Sequence, residues 1–167
     1  MKILLLVLLT TSLFALSSEQ RSTAKQIYKI AKLEHREHTL LKIAMQESSL
    51  GLNVIGDFKP GTDITKASLG VFQFQIATVR HNQKLFPKQL GWLANYNDWQ
   101  LAQRLIRDVK FSTMLACFNL RRLAADPRRN TYCKLVSGWN GGITNLPYYA
   151  NVQKHSKLVN KLIKELR

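Results

Sequence analysis

Leu40-Leu41-Lys42-Ile43-Ala44-Met45-Gln46-Glu47-Ser48-Ser49-Leu50-Gly51 is the stretch that decides the architecture. At about 100° per residue, Leu40, Leu41, Ala44, Met45 and Ser48 share one arc. The stretch therefore predicts an amphipathic helix, capped by Thr39 and ended by Gly51. Lys42 and Gln46 are expected to point away from the arc, and Glu47 falls at its edge. A carboxyl at such an edge is half out of water. Burial disfavours its charged form, so its pKa is expected to rise. A raised carboxyl is what a general acid needs near neutral pH. The alternative is an ordinary helix-edge ion pair.

Outward from this helix, most segments repeat their apolar residues at helical spacing. A first helix over about residues 20–34 carries Ala24, Ile27, Tyr28 and Ala31 on one face. Residues 51–67, with Gly56, Asp57, Pro60, Gly61 and Asp63, read as a turn-rich loop or short hairpin. Residues 69–76 read as extended chain or a helix entry, and a helix over about 77–85 stops before Pro87. Asp98 is expected to cap a helix with Trp99, Ala102, Leu105 and Ile106 on one face. Phe111, Met114, Leu115 and Phe118 mark the next. After Asp126-Pro127 a helix is expected over 129–138, then a loop from Gly138 to Pro147. A last helix over about 148–166 carries Val152, His155, Val159, Leu162 and Leu166 on one stripe. The expectation is a mainly α single domain with a short irregular or β-hairpin lobe near residues 52–75.

A chain of 167 residues with 46% hydrophobic content and a mean hydropathy of −0.15 can build one core. Lys2, the apolar residues Ile3 to Leu9 and Leu13 to Leu16, and Ala15 and Ser17 before a cut after Ser17 read as a secretory signal peptide over 1–17. The alternative is an uncleaved anchor, for which the run is short. The domain is then 18–167. Loss of Lys2 reduces the formal charge of +15 to +14. Such a field attracts polyanions. In an exported chain these are wall glycans carrying carboxylates, or acidic lipid head groups, rather than nucleic acid. A solvated basic surface remains the plain alternative. Cys117 and Cys133 flank the Asp126-Pro127 break and are a candidate disulfide in an oxidising compartment, the alternative being two buried thiols. Two cysteines without a nearby histidine do not make a metal site.

Further motifs can surround Glu47. Ser68-Leu69-Gly70-Val71-Phe72-Gln73 offers a glycine for a tight path under a ligand, an apolar wall at Phe72 and an amide at Gln73. Ala77-Thr78 follows. Gly138-Trp139-Asn140-Gly141-Gly142 adds a ring, an amide and a flexible loop, and Tyr148 and Tyr149 add phenols. Rings with Asn and Gln amides suit sugars. Taken singly, each of these residues also has a structural use.

The order Glu47-Ser48, Gly70-Val71-Phe72-Gln73, Ala77-Thr78, Asn140-Gly141 and Tyr148 with Val152 resembles the soluble, lysozyme-like lytic transglycosylases that cut peptidoglycan. The resemblance spans roughly residues 24–155. The chain departs from the family's strings at Phe72, where the family has Met, at Gly138-Trp139, where it has Ala-Tyr, and at Phe118, where it often has Tyr. Gly56-Asp57 resembles a Gly-Asp loop of some small exported relatives. The resemblance implies that Glu47 protonates the β-1,4 bond between N-acetylmuramic acid and N-acetylglucosamine. It then takes the proton of the C6 hydroxyl, closing a 1,6-anhydro ring without water. Ser48 would orient Glu47 or the substrate. Ser68, Gly70, Phe72, Gln73, Trp139, Asn140, Tyr148 and Tyr149 would hold the sugar.

Ordinary glycoside hydrolysis uses two carboxyls. Asp57 and Asp63 are the candidate second carboxylates for a goose-lysozyme-like muramidase. A non-catalytic wall-binding protein and a membrane-active cationic protein using the last helix are the other readings. The expected setting is the periplasm or cell envelope. The expected partners are glycan strands and an envelope-spanning apparatus, with a monomeric chain, no nucleic acid, no stable membrane insertion, no cofactor and no metal.

Overall fold

The computed structural model describes residues 16–167. The signal peptide expected over 1–17 lies almost wholly outside them. The chain is mainly α, with nine α-helices and one two-stranded sheet among the described residues.

Helix α1 (Ser18–Ala31) begins where Ser17 and Gln20 form a reciprocal capping box. It buries Ala24, Ile27, Tyr28 and Ala31, the face expected from their spacing. A 3-10 turn, Lys32–Glu34, follows and leads into α2 (Glu37–Ser48).

Three expectations for α2 fail. Its N-cap is Arg36, not Thr39, and the Thr39 hydroxyl instead donates to Tyr132 Oη at 3.3 Å. Its C-cap is Ser49, not Gly51, with φ of 52°. Lys42 also departs from the helical wheel: it is buried, because Gln153 Oε1 accepts from its Nζ at 3.1 Å and the Tyr132 ring lies 5.0 Å away. An amine can be buried when a hydrogen-bond acceptor and a ring face replace part of its water. The periodic pattern cannot register that.

The irregular lobe is a minimal hairpin. Strand β1 (Ile55–Gly56) pairs antiparallel with β2 (Ser68–Leu69), Ile55 opposite Leu69 and Gly56 opposite Ser68. A 3-10 turn at Ile64–Lys66, capped by Asp63, closes the excursion. Leu69 also bridges to Phe74 across a tight turn at 70–73.

Helices α3 (Ile76–Leu85) and α4 (Pro87–Leu90) follow. Helix α5 (Asp98–Arg107) is capped by Asn97 with Gln100 in a box, one residue before the expected Asp98. Trp99 is 58% exposed rather than part of the buried face, which is Leu101, Ala102 and Leu105. Helix α6 (Val109–Ala124) carries ten buried residues and packs on α1, α3 and α5, so it is the core's main axis. Helix α7 (Tyr132–Ser137) is shorter than expected because Asp126 caps a 3-10 turn at Pro127–Arg129.

The single last helix is in fact two, α8 (Leu146–Lys154) and α9 (Ser156–Leu166). The chain tightens at His155, whose N–H bonds Val152 O, while Ser156 Oγ donates to Gln153 Oε1. Both halves still bury their stripe, through Val152, Val159, Leu162 and Ile163. Helix α2 is packed by α1, α8 and α9, which fixes the end that carries Glu47.

The candidate disulfide is not formed: Cys117 and Cys133 are both free thiols. Cys117 sits in the core on α6, where burial pushes its thiol up to about 12 and makes it inert. Cys133 is half-buried on α7. No helix among the described residues is long and apolar enough to cross a membrane.

Candidate functional site

A cleft of about 420 Å³ opens between the end of α2, the hairpin lobe and the loop before α8. Such a volume suits part of a small polar polymer. Glu47, on the last turn of α2, reaches into it. The backbone past Glu47 is forced: Ser49, Leu50 and Gly51 have φ of 52°, 58° and 90°. Leu50 is anchored in the core at 1% exposure, which holds this left-handed run in place. Asp57 and Gln73, both lining the cleft, also have positive φ, at 54° and 51°. Non-glycine strain of this kind costs about 1–3 kcal/mol per residue and clusters at functional sites.

Tyr148, on the first turn of α8, donates from its hydroxyl to Glu47 Oε1 at 2.5 Å. Asn145 places it: Asn145 Oδ1 accepts from Tyr148 N–H, and its Nδ2 donates to Asn140 O. Burial raises the pKa of Glu47 above the usual carboxylate range; the Tyr148 bond opposes this, and the charge of Asp57 adds to the raising. Burial and the same carboxylate push the Tyr148 phenol upward, so it stays a donor. With one oxygen engaged by Tyr148, the other is available to carry a proton into the cleft.

The structure brings Glu47, Asp57, Ser68, Gln73, Trp139 and Asn140 to one cleft. Asp57 is held by Ser68 Oγ, which donates to its Oδ2 at 3.3 Å. Gln73 Nε2 donates to Asn53 O and Gly70 O, at 3.0 and 2.9 Å, so its Oε1 is the free acceptor. Gly56 lies against it: a Cβ there would meet that oxygen at 2.1 Å, so the Gln73 amide could not keep this position. Trp139 is half-buried against Phe72 and Phe74, with ring centroids 5.9 and 5.5 Å away.

Other expected site residues serve the scaffold. Ser48 is 1% exposed and does not orient Glu47; its hydroxyl donates to Val71 O at 2.8 Å and accepts from Gly51 N–H at 2.9 Å. It fastens the helix end to the 70–73 turn. Gly70, with φ of 74°, is needed for packing rather than for a ligand: a Cβ would lie 2.2 Å from Leu105 O. Phe72 is fully buried and backs Trp139 instead of forming the wall. Tyr149 packs edge-on against Tyr132. Asp63 caps its 3-10 turn through Thr65 N–H, and that bond lowers its pKa. It does not line the cleft.

Phe74, Gln75 and Asn119, which stand outside the sequence motifs, also line the cleft. Phe74 stands two residues beyond Phe72, and the tight turn at 70–73 places it at the cleft. Asn119 neighbours Phe118, which packs on Phe86 at 5.2 Å and on the Arg121 guanidinium. A buried amide within an apolar helix was the available signal for it.

Among the described residues no group of three or more His, Cys, Asp or Glu is placed to hold a metal ion. Compared with protein-family models, curated proteins and solved structures, the chain matches none of them.

Proposed function

We propose that the protein is a lytic transglycosylase of the lysozyme-like kind, exported to the cell envelope and acting on peptidoglycan. The observation that carries this is the Glu47 carboxyl, held partly out of water by burial and positioned by Tyr148 at the wall of a polar cleft. A carboxyl that keeps its proton toward neutral pH can protonate a glycosidic oxygen. Once ionised, the same group can accept the proton of the C6 hydroxyl as that oxygen closes on C1. Gln73 Oε1, the Asn140 amide and the Trp139 ring supply an acceptor, a mixed donor–acceptor and an apolar face for the sugar. The net positive charge favours an anionic wall polymer over a neutral one.

A second reading rests on Asp57. It lines the same cleft and its charge acts on Glu47. Two carboxyls lining one cleft, Glu47 with its pKa raised and Asp57 beside it, are the arrangement of a muramidase, with water as the final acceptor. Digestion of purified peptidoglycan followed by mass analysis of the fragments separates the two. Anhydro-muramoyl ends support the transglycosylase; reducing muramic acid ends establish the hydrolase. Absence of any cleavage by the folded protein sinks both in favour of a wall-binding role.

A further inference from the structure

Asn119 takes no part in the proposed proton transfers, yet its side chain is locked in place at the cleft. It lies on α6, is 3% exposed, and lines the cleft with the little surface it shows. Its Oδ1 is occupied by the scaffold. Arg122 Nε and Nη2 both donate to that oxygen, at 3.2 and 2.9 Å, and Asn82 Nδ2 approaches it at 3.4 Å. An amide can be placed in two orientations, and here the guanidinium decides between them. Reversed, the Asn119 amino group would face the Arg122 donors with no acceptor between them.

The Nδ2 end is therefore the end left over. Asn82 Oδ1 is sealed from solvent without a partner; Asn119 Nδ2 is not sealed, and no acceptor meets it among the described residues. An almost wholly buried amide thus offers the cleft an N–H donor. Bonds from a cation to its carbonyl oxygen polarise the amide and strengthen that donor.

Two neighbours complete the surface. Thr78 is half-buried on the first turn of α3 and also lines the cleft. It stands one helical turn before Asn82, the residue that reaches Asn119. Its hydroxyl can accept as well as donate. Phe74 lines the same cleft and packs its ring on Trp139. A donor, an acceptor and a ring face match the three parts of an acetamido group: its carbonyl oxygen, its N–H and its methyl.

We infer that Asn119, Thr78 and Phe74 form an acetamido subsite. Asn119 Nδ2 donates to the carbonyl oxygen of an acetamido sugar, Thr78 Oγ1 accepts from its N–H, and its methyl rests on Phe74. The subsite rests on the glycan reading of the cleft and adds a selectivity to it: the strand is read here by its N-acetyl groups and not by its charge. A sugar with a hydroxyl in that place leaves the Asn119 donor without its carbonyl, and a site built to pair such a group rejects the analogue that lacks it. Arg122 and Asn82 act through Asn119, as positioning residues.

The test measures binding of chitotetraose and cellotetraose by calorimetry. Both are neutral and share one β-1,4 backbone; the first carries acetamido groups where the second carries hydroxyls. The Glu47→Gln chain, in which nothing is cleaved, is compared with the same chain carrying Asn119→Asp or Thr78→Val. Aspartate keeps the size of Asn119 and the oxygen that Arg122 holds, and exchanges only the Nδ2 donor for an acceptor. Valine keeps the branching of Thr78 without its hydroxyl. Thermal melting establishes that both variants fold. The parent chain is expected to prefer chitotetraose, and each variant to weaken chitotetraose binding by about tenfold while leaving cellotetraose as it was. If these results hold while the chain with Glu47 cuts no peptidoglycan, the subsite stands and the catalytic reading alone falls. Equal binding of the two sugars by the parent chain, binding of neither, unchanged chitotetraose affinity in either variant, or equal weakening of both sugars overturns the subsite.

Discussion

The Tyr148 hydroxyl bonds Glu47 Oε1 at 2.5 Å across 101 positions of sequence, fastening the first turn of α8 to the last turn of α2. The bond favours the ionised carboxylate, whereas burial and the charge of Asp57 favour the protonated acid. The acid is therefore set by opposing influences, each traceable to a named residue.

Tyr148→Phe and Asp57→Asn should move the pH profile in opposite directions. Losing the Tyr148 donor removes an influence that lowers the Glu47 pKa, so the alkaline limb of kcat/KM moves to higher pH. Losing the Asp57 charge removes one that raises it, so the limb moves to lower pH. Phenylalanine retains the buried ring, and about 1 kcal/mol of stability is expected to go with the hydroxyl. Movement of both limbs in the same direction contradicts the arrangement.

Glu47→Gln should lower cleavage by about 10²- to 10⁴-fold, the span of a lost general acid. It should also stabilise the fold at neutral pH. The folded pKa is raised above that of an ordinary glutamate, so the native state binds more protons than the unfolded one through the interval between them. Stability from Glu47 is complete below the unfolded value and is lost as pH rises through the folded value. A neutral amide avoids that loss. Melting curves should show the variant higher than wild type by about 2 °C at pH 7 and level with it at pH 4. A variant that melts lower at pH 7 would mean that Glu47 is a structural ion-pair residue.

Ser48→Ala and Gly70→Ala should act on the scaffold alone. Alanine at 48 leaves Val71 O and Gly51 N–H without their buried partner, a cost of about 1–3 kcal/mol. Alanine at 70 meets Leu105 O and a positive φ, a cost on the order of 3 kcal/mol. Denaturant titration measures both. Whatever protein remains folded should keep the wild-type pH profile; a displaced profile from Ser48→Ala would return that hydroxyl to the chemistry.

Much of the fold follows from periodicity. The buried faces of α1, α2 and α6 are legible in residue spacing, because a helix in a small domain must bury one stripe, and the hairpin lobe is legible in its Gly, Pro and Asp turn residues. What could not be read depended on partners distant in sequence. Lys42 looks solvent-facing on the wheel, yet Gln153 and Tyr132 bury it. Trp99 looks like core, yet α5 turns it outward.

The same division runs through the site. The phase of the α2 helix placed Glu47 at an apolar edge, and the structure places it at the cleft. The exchange of Phe72 for Phe74, and of Ser48 from the chemistry to the scaffold, depends on a tight turn that no alternation pattern encodes. The positive φ values of Ser49, Leu50, Asp57 and Gln73 are equally invisible, since none of them is glycine.

The central claim is that Glu47 serves as acid and then as base, with no water consumed. Digestion of peptidoglycan in ¹⁸O-enriched water tests it most directly, with mass analysis of each newly formed muramoyl end. The account predicts anhydro ends without ¹⁸O from wild type and none of these ends from Glu47→Gln. One ¹⁸O per new end, lost on Asp57→Asn, would contradict it and make the protein a two-carboxyl hydrolase.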